Sequence, residues 1–159
     1  MPRRSDRRIA ISVAAVLALA ATSGAVFAQP GARAPAPVVT GVWSFQTQAY
    51  DGDRDGRACS MRGTMTIVQG RQPGALNCTF VATETCPNGS WTAEQSCTAT
   101  RRGAKLEIAS TITRVTPGTV NYAPDNWSLT IRTSDLMVGE LRSADIAGVQ
   151  FRRGPAYTS

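Results

Sequence analysis

Alternation of apolar and polar residues dominates the sequence from Gly41 onward and most strongly limits how the chain can fold. A period of two is typical of β-strands with one buried face, whereas a helix repeats every 3.6 residues. The alternating runs cover residues 43–47, 59–67, 76–82, 91–99, 106–112, 127–131, 137–141 and 149–151. The pattern predicts an all-β protein of eight strands.

Turn-forming residues separate these runs. Arg102-Gly103 and Thr116-Pro117-Gly118 are examples, since glycine supplies a positive φ and proline presets φ. Short connections between consecutive strands favour an antiparallel meander, and closure of the meander would remove its exposed edges. We therefore predict an eight-stranded antiparallel up-and-down β-barrel over residues 41–153. A β-sandwich is the alternative, because strand count alone does not separate the two.

The first 28 residues have the layout of a secretory signal peptide. Four arginines lie among the first eight residues, an apolar run covers residues 9–21, and Val26-Phe27-Ala28 resembles a cleavage site. The apolar run is well short of the roughly 20 residues that cross a bilayer. The sequence predicts a periplasmic or secreted protein, not inserted in the membrane once residues 1–28 are removed. Residues 29–40 are predicted to form a Pro/Ala-rich linker and residues 154–159 a C-terminal tail.

Charge and composition argue against several functions. Removing residues 1–28 takes away four of the 17 basic and one of the 11 acidic residues, leaving a net charge of +3. The remaining arginines form no basic stripe interleaved with aromatics, so we expect no nucleic-acid binding. The chain has no histidine, which excludes catalysis by an imidazole and metal ligation by an imidazole. No carboxylates are paired by spacing for acid–base chemistry, so we predict a non-enzymatic protein without a cofactor.

Four cysteines in an exported chain favour two disulfides. Facing residues of a hairpin are equally distant from its turn. The turn near residue 72 lies about midway between Cys59 and Cys86, and the turn near residue 88 lies about midway between Cys78 and Cys97. We therefore predict the pairs Cys59–Cys86 and Cys78–Cys97.

The acidic segment at residues 51–56 resembles the start of an EF-hand loop. Asp51, Asp53 and Asp55 alternate before Gly56, as oxygen ligands of calcium do. The position of the bidentate glutamate holds Arg62 instead. The alternatives are a weak calcium site and an ordinary hairpin loop, and we favour the loop.

Gly41-Val42-Trp43 in the first run and Phe151-Arg152-Arg153 in the last resemble the calycin superfamily of lipocalin-like and avidin-like barrels. The resemblance implies that Trp43 packs at one end of the barrel and that Arg152 or Arg153 covers its ring. The short avidin-like barrels are nearer than the lipocalins, because no long helix can follow the last strand. Bacterial exported protease inhibitors share such small barrels, so the resemblance also implies an inhibitory role.

Two binding roles follow from these observations. The first is a protein-binding module, with inhibition of an exported hydrolase or protease as its candidate activity. Residues 29–40 could serve as an extended arm, and a loop containing Tyr122, Pro124 and Asn126 could supply an aromatic anchor.

The alternative role is carriage of a small apolar ligand in the mouth of the barrel. The side chains that could line such a cavity are Met61, Met65, Phe80, Trp91 and Trp127. The same residues could instead fill a packed interior, which is common in small barrels.

Overall fold

The computed structural model describes residues 36–51, 58–72, 74–118 and 121–154. The strands are β1 (Gly41–Thr47), β2 (Tyr50–Asp51), β3 (Ala58–Gln69), β4 (Ala75–Cys86), β5 (Gly89–Arg102), β6 (Lys105–Thr116), β7 (Asn126–Ile131), β8 (Leu136–Arg142) and β9 (Ile146–Arg153). The described residues contain no helix, and hence none that could cross a bilayer. The predicted signal peptide and most of the C-terminal tail lie outside the described residues.

Each of the strands from β3 to β9 pairs antiparallel with the next along the chain. Strand β1 pairs with β9 on one side and with β3 on the other, which closes the sheet into a barrel. The predicted eight-stranded antiparallel barrel is confirmed, and the sandwich alternative is wrong. The two-residue strand β2 is an addition that alternation did not predict; it pairs only with the start of β3.

Apolar side chains of the inward phase fill the barrel. The ring of Phe45 lies 5.0 Å from that of Trp127 and 5.0 Å from that of Phe151, measured between centroids. Phe45 lies opposite Gly63, where an added Cβ would come within 2.4 Å of its ring. The glycine therefore makes room for an aromatic ring on the neighbouring strand. Large side chains that are fully buried in this core include Trp43, Trp127, Phe151, Met65, Leu106, Leu129 and Met137.

Two disulfides tie neighbouring strands from within the core. Cys59 is bonded to Cys86 across β3 and β4, and Cys78 is bonded to Cys97 across β4 and β5. These are the pairs that the positions of the hairpin turns predict. Two disulfides in the fold are compatible with an exported protein.

One end of the barrel is covered by the residues that precede β1. Val39 is buried in the core, and its carbonyl accepts a hydrogen bond of 2.8 Å from Nε1 of Trp43. The carbonyl of Pro37 accepts one of 2.6 Å from Arg101. Packing therefore extends into residues 36–40, the described part of the predicted linker. We call this the closed end.

Arg153, and not Arg152, covers Trp43. Its guanidinium carbon lies 4.4 Å from the centre of the indole ring. The same guanidinium donates hydrogen bonds of 2.8 Å to the carbonyls of Thr40 and Ser134. The side chain thus joins the last strand, the segment before β1 and the β7–β8 turn at the closed end.

Replacing Arg153 by methionine should lower the free energy of unfolding by about 2 kcal/mol, because a stacked cation and several charge-assisted hydrogen bonds are lost. Arg152→Met is the matched control. Arg152 is exposed and should tolerate the change within about 0.5 kcal/mol. Urea denaturation measures both variants, and equal losses would contradict the role given to Arg153.

Candidate functional site

The opposite end of the barrel, which we call the open end, holds a cavity of about 80 Å³. It is formed where β2, the end of β4, the loop before β7 and the β8–β9 turn meet. Its walls include Tyr50, Glu84, Tyr122, Asp125, Ser143 and Asp145. Asn121 and Ala144 also border it and are exposed, so the cavity can be reached from solvent.

Asp125 is the central polar group of this site. It is fully buried at 0 % exposure, and its Oδ2 accepts a 2.5 Å hydrogen bond from the amide of Gln95. In return, the backbone N–H of Asp125 donates to Oε1 of Gln95 at 3.0 Å. The other carboxylate oxygen, Oδ1, has no hydrogen-bond partner among the described residues. A buried acceptor without a partner is costly and requires an explanation.

Gln95 reaches Asp125 because it lies in the inward phase of β5. The pairing between β5 and β6 shifts between Glu94 and Gln95, which is the signature of a β-bulge. Bulges redirect side chains and are frequent near functional sites. Ser110 on β6 adds a second anchor, since its hydroxyl donates to the carbonyl of Asp125 at 2.6 Å.

Two tyrosines direct their hydroxyls to carboxylates of the site. Tyr50 donates to Oε1 of Glu84 at 2.5 Å, and Tyr122 donates to Oδ2 of Asp125 at 3.1 Å. Both rings pack against the hydrophobic core. The tyrosines therefore serve as apolar walls whose donor protons already have partners.

Burial sets the acidities of these groups. It raises the pKa of Asp125 to about 6, although hydrogen bonds with Tyr122 and Gln95 act in the opposite direction. A hydrogen bond from the hydroxyl of Ser143 to the carboxylate of Asp125 also lowers this pKa. Burial, reinforced by the nearby carboxylates, raises the pKa of Tyr50 and of Tyr122 far above the ordinary range. Both tyrosines are therefore neutral, and the charge of the site comes from its carboxylates.

The raised pKa of Asp125 predicts that stability falls as the pH rises. The folded protein holds this proton up to about pH 6, whereas the unfolded chain releases it near the ordinary value of 3.8. The stabilisation is complete below pH 3.8 and is lost as the pH passes 6. Its size is at most about 3 kcal/mol. Thermal denaturation of wild type and Asp125→Asn from pH 4 to 8 measures it. The stability difference between them should change over this range, and a constant difference would contradict the prediction.

The predicted cavity residues lie in different places, some in the core and others near the open end of the barrel. Met65, Phe80 and Trp127 are buried in the packed interior, and Met61 is buried there but also borders the open-end cavity. Trp91 is half-buried at the tip of the β4–β5 hairpin, beside Gly89. The barrel therefore does not bring these five side chains together around one space.

The loop predicted to contact a partner faces inward in part. Tyr122 is half-buried with its hydroxyl on Asp125, whereas Pro124 is exposed. Asn126 begins β7, and its side-chain oxygen accepts a 2.8 Å hydrogen bond from the backbone of Ser110. Tyr122 is thus part of the wall of the site.

The structure describes one of the three candidate calcium ligands. Asp51 belongs to β2, whereas Asp53 and Asp55 lie outside the described residues. Within the described ranges, the group with the spacing of metal ligands is Cys59, Glu84 and Cys86. Its two sulfur atoms are bonded to each other, which leaves one carboxylate.

Tyr50, Glu84 and Asp125 were not predicted from the sequence as members of one site. Gln95 did carry a signal, because it is a polar residue in the inward phase of β5. A buried amide requires polar partners, so that position could have indicated a polar centre inside the barrel. Its partner could not be read from the sequence, because Asp125 follows a loop without periodicity.

Comparison with solved structures supports the fold. EF1p2_mFAP2b, solved bound to DFHBI, has a TM-score of 0.50 and 17% identity, and the match covers 72% of this chain and 93% of that chain. The redesigned β-barrel mFAP1, bound to DFHBI, gives 0.49, 18% identity and coverages of 72% and 94%. A de novo designed fluorescence-activating β-barrel gives 0.46, 22% identity and coverages of 72% and 93%. At 17% identity, the similarity to EF1p2_mFAP2b shows the fold alone. No protein-family model and no curated protein matches the sequence.

Proposed function

We propose that this protein is an exported, non-catalytic β-barrel that binds a small ligand at its open end. The observation that carries the proposal is the cavity beside Asp125, a fully buried carboxylate with one oxygen that has no hydrogen-bond partner among the described residues. Concave sites with a few convergent polar groups are the usual form of small-ligand sites.

The packed interior directs the proposal to the mouth of the barrel. Phe45, Phe80, Trp127 and Phe151 occupy the centre with ring-to-ring distances of 5.0 to 6.1 Å. A ligand in the centre would have to displace these rings. EF1p2_mFAP2b holds DFHBI, which is a property of that protein. The present proposal rests on the cavity of this chain.

Inhibition of an exported hydrolase or protease is a prediction from the calycin resemblance. The arm proposed for it, residues 29–40, is described only from residue 36, and there Val39 is buried at the closed end. The proposed anchor, Tyr122, is directed into the cavity. Small-ligand binding is therefore the function that the geometry supports best.

Nuclear magnetic resonance (NMR) with four probes tests the proposal: n-propylammonium, 1-propanol, propionate and cyclopentane. All are close to the cavity in size. At least one should shift the backbone amides of residues 121–123, 125–126 and 143–145 while leaving those of Val39 and Arg153 in place. Ala123→Leu places a larger side chain in the cavity and should reduce the chemical-shift changes that the probes cause. Ala104→Leu, at an exposed turn, should leave them unchanged.

Two results would overturn the proposal. One is the absence of any shift at the open end with all four probes. The other is a response confined to core amides such as those of Phe80 and Trp127, which would indicate apolar carriage inside the barrel instead.

A further inference from the structure

Most of the polar groups that a ligand could meet at the open end are hydrogen-bond acceptors. The hydroxyl protons of Tyr50 and Tyr122 are donated to Glu84 and Asp125. The hydroxyl of Ser143 is shared between the carbonyl of Ala123 and the carboxylate of Asp125. Oδ1 of Asp125 has no donor among the described residues. A ligand that satisfies these groups must therefore supply N–H or O–H donors.

The charge of the cavity has one sign. Glu84, Asp125 and Asp145 border it, and the described residues that line it include no lysine or arginine. The tyrosine hydroxyls are in the field of these carboxylates, which contributes to their raised pKa values. A site bordered by several carboxylates attracts a cation, and aromatic walls add favourable cation–π contact.

The arrangement suits an organic cation better than a metal ion. A calcium ion takes six to eight oxygens at about 2.3–2.6 Å, which requires its carboxylates to converge. The described carboxylates of Glu84, Asp125 and Asp145 do not form a group with ligand spacing. An ammonium group needs only two or three acceptors around it and leaves room for a short apolar chain beside the rings.

Size limits the ligand further. A cavity of about 150 Å³ accommodates benzene, so the 80 Å³ found here fits about three non-hydrogen atoms. The exposed border at Asn121 and Ala144 would let a longer ligand extend into solvent. The bound part would be a headgroup.

We propose that the open end binds the headgroup of a small primary amine, with the ammonium on Oδ1 of Asp125 and the carbon chain between Tyr50 and Tyr122. This assignment rests on the proposed ligand site and specifies its ligand class. Asp125 is the main anchor, held in place by Gln95, and Glu84 and Asp145 supply the surrounding negative charge.

NMR titration with n-propylammonium, 1-propanol and propionate tests the assignment, because the three probes differ mainly in charge. We expect n-propylammonium to bind at pH 8 at least tenfold more tightly than either of the others. Asp125→Asn should weaken it about tenfold. Glu94→Gln removes a charge from the outer face of the same barrel and should leave the affinity unchanged.

Lowering the pH to 5 should also weaken n-propylammonium binding about fivefold, since Asp125 is then mostly protonated. Among the described residues, the other titratable groups around the cavity are Tyr50 on β2, Glu84 on β4, Tyr122 in the loop and Asp145 in the β8–β9 turn. Asp125→Asn should abolish this pH dependence, because it removes the titrating group. If Asp125→Asn does not fold, Glu84→Gln is measured in its place. This variant should weaken n-propylammonium binding about threefold.

The outcomes separate the two proposals. Equal or tighter binding of 1-propanol or propionate overturns the amine assignment and leaves the ligand site standing. Calcium binding that shifts the same amides and depends on Asp125 also overturns the assignment, in favour of a metal site. No response to any probe overturns both proposals.

Discussion

Breaking both disulfides is expected to unfold the protein. Each bond closes a loop, one between residues 27 positions apart and the other between residues 19 positions apart. Loops of this length are worth about 3 kcal/mol each through the unfolded state. Their combined loss of about 6 kcal/mol is comparable with the whole stability of a small domain, which is about 5–15 kcal/mol. Far-UV circular dichroism with and without a reducing agent measures the effect.

Paired replacements separate the two bonds. Cys59→Ser with Cys86→Ser, and Cys78→Ser with Cys97→Ser, should each lower the free energy of unfolding by about 3 kcal/mol. The first pair should also weaken ligand binding, because Glu84 lies two residues from Cys86 and borders the cavity. The second pair should not, since its bond lies further along β4 from that end. Full stability after reduction would contradict this account of the bonds.

Gly139→Ala is expected to be among the most damaging replacements of a small residue in the barrel. An added Cβ would lie 2.0 Å from the carbonyl oxygen of Ser128 and 2.8 Å from Cα of Leu129. Both contacts are with backbone, so no side-chain rotation relieves them. Strands β7 and β8 would have to separate where Leu129 pairs with Gly139. We expect a loss of about 4 kcal/mol in the free energy of unfolding, at the upper end of single replacements.

The matched control is Gly118→Ala. An added Cβ there meets only the carbonyl of Val115, at 3.7 Å, which is ordinary contact. Guanidinium denaturation of the two variants should show a large loss for Gly139→Ala and a change within about 0.5 kcal/mol for Gly118→Ala. Similar stability in both variants would show that β7 and β8 are not as close at Gly139 as the structure has them.

The barrel could be predicted because its determinants are local. Alternation fixes which face of each strand is buried, and a turn fixes the register of the hairpin around it. The pairing of Cys78 with Cys97 follows from that register alone. The sequence limits the arginine that covers Trp43 to two candidates, Arg152 and Arg153. It does not choose between them, because strand twist and the segment before β1 decide which arginine reaches the ring.

The site could not be predicted in the same way. Its central residue, Asp125, lies beyond the strands' alternation at the end of a loop, and its partner Gln95 is 30 positions away. Tyr122 was expected to face a partner, but desolvation of its ring and its hydrogen bond to Asp125 direct it inward. Loop conformation depends on such long-range contacts, which periodicity does not contain.

The pKa of Asp125, measured with and without a bound amine, tests the central claim most directly. Carbon-13 NMR of its carboxyl group over pH 3–9 should give a pKa near 6 in the free protein. Saturation with n-propylammonium should lower that value by about one unit, because tenfold tighter binding to the carboxylate is linked to a tenfold change in its proton affinity. A pKa that the amine leaves unchanged would contradict the assignment of Asp125 as the ligand-binding group.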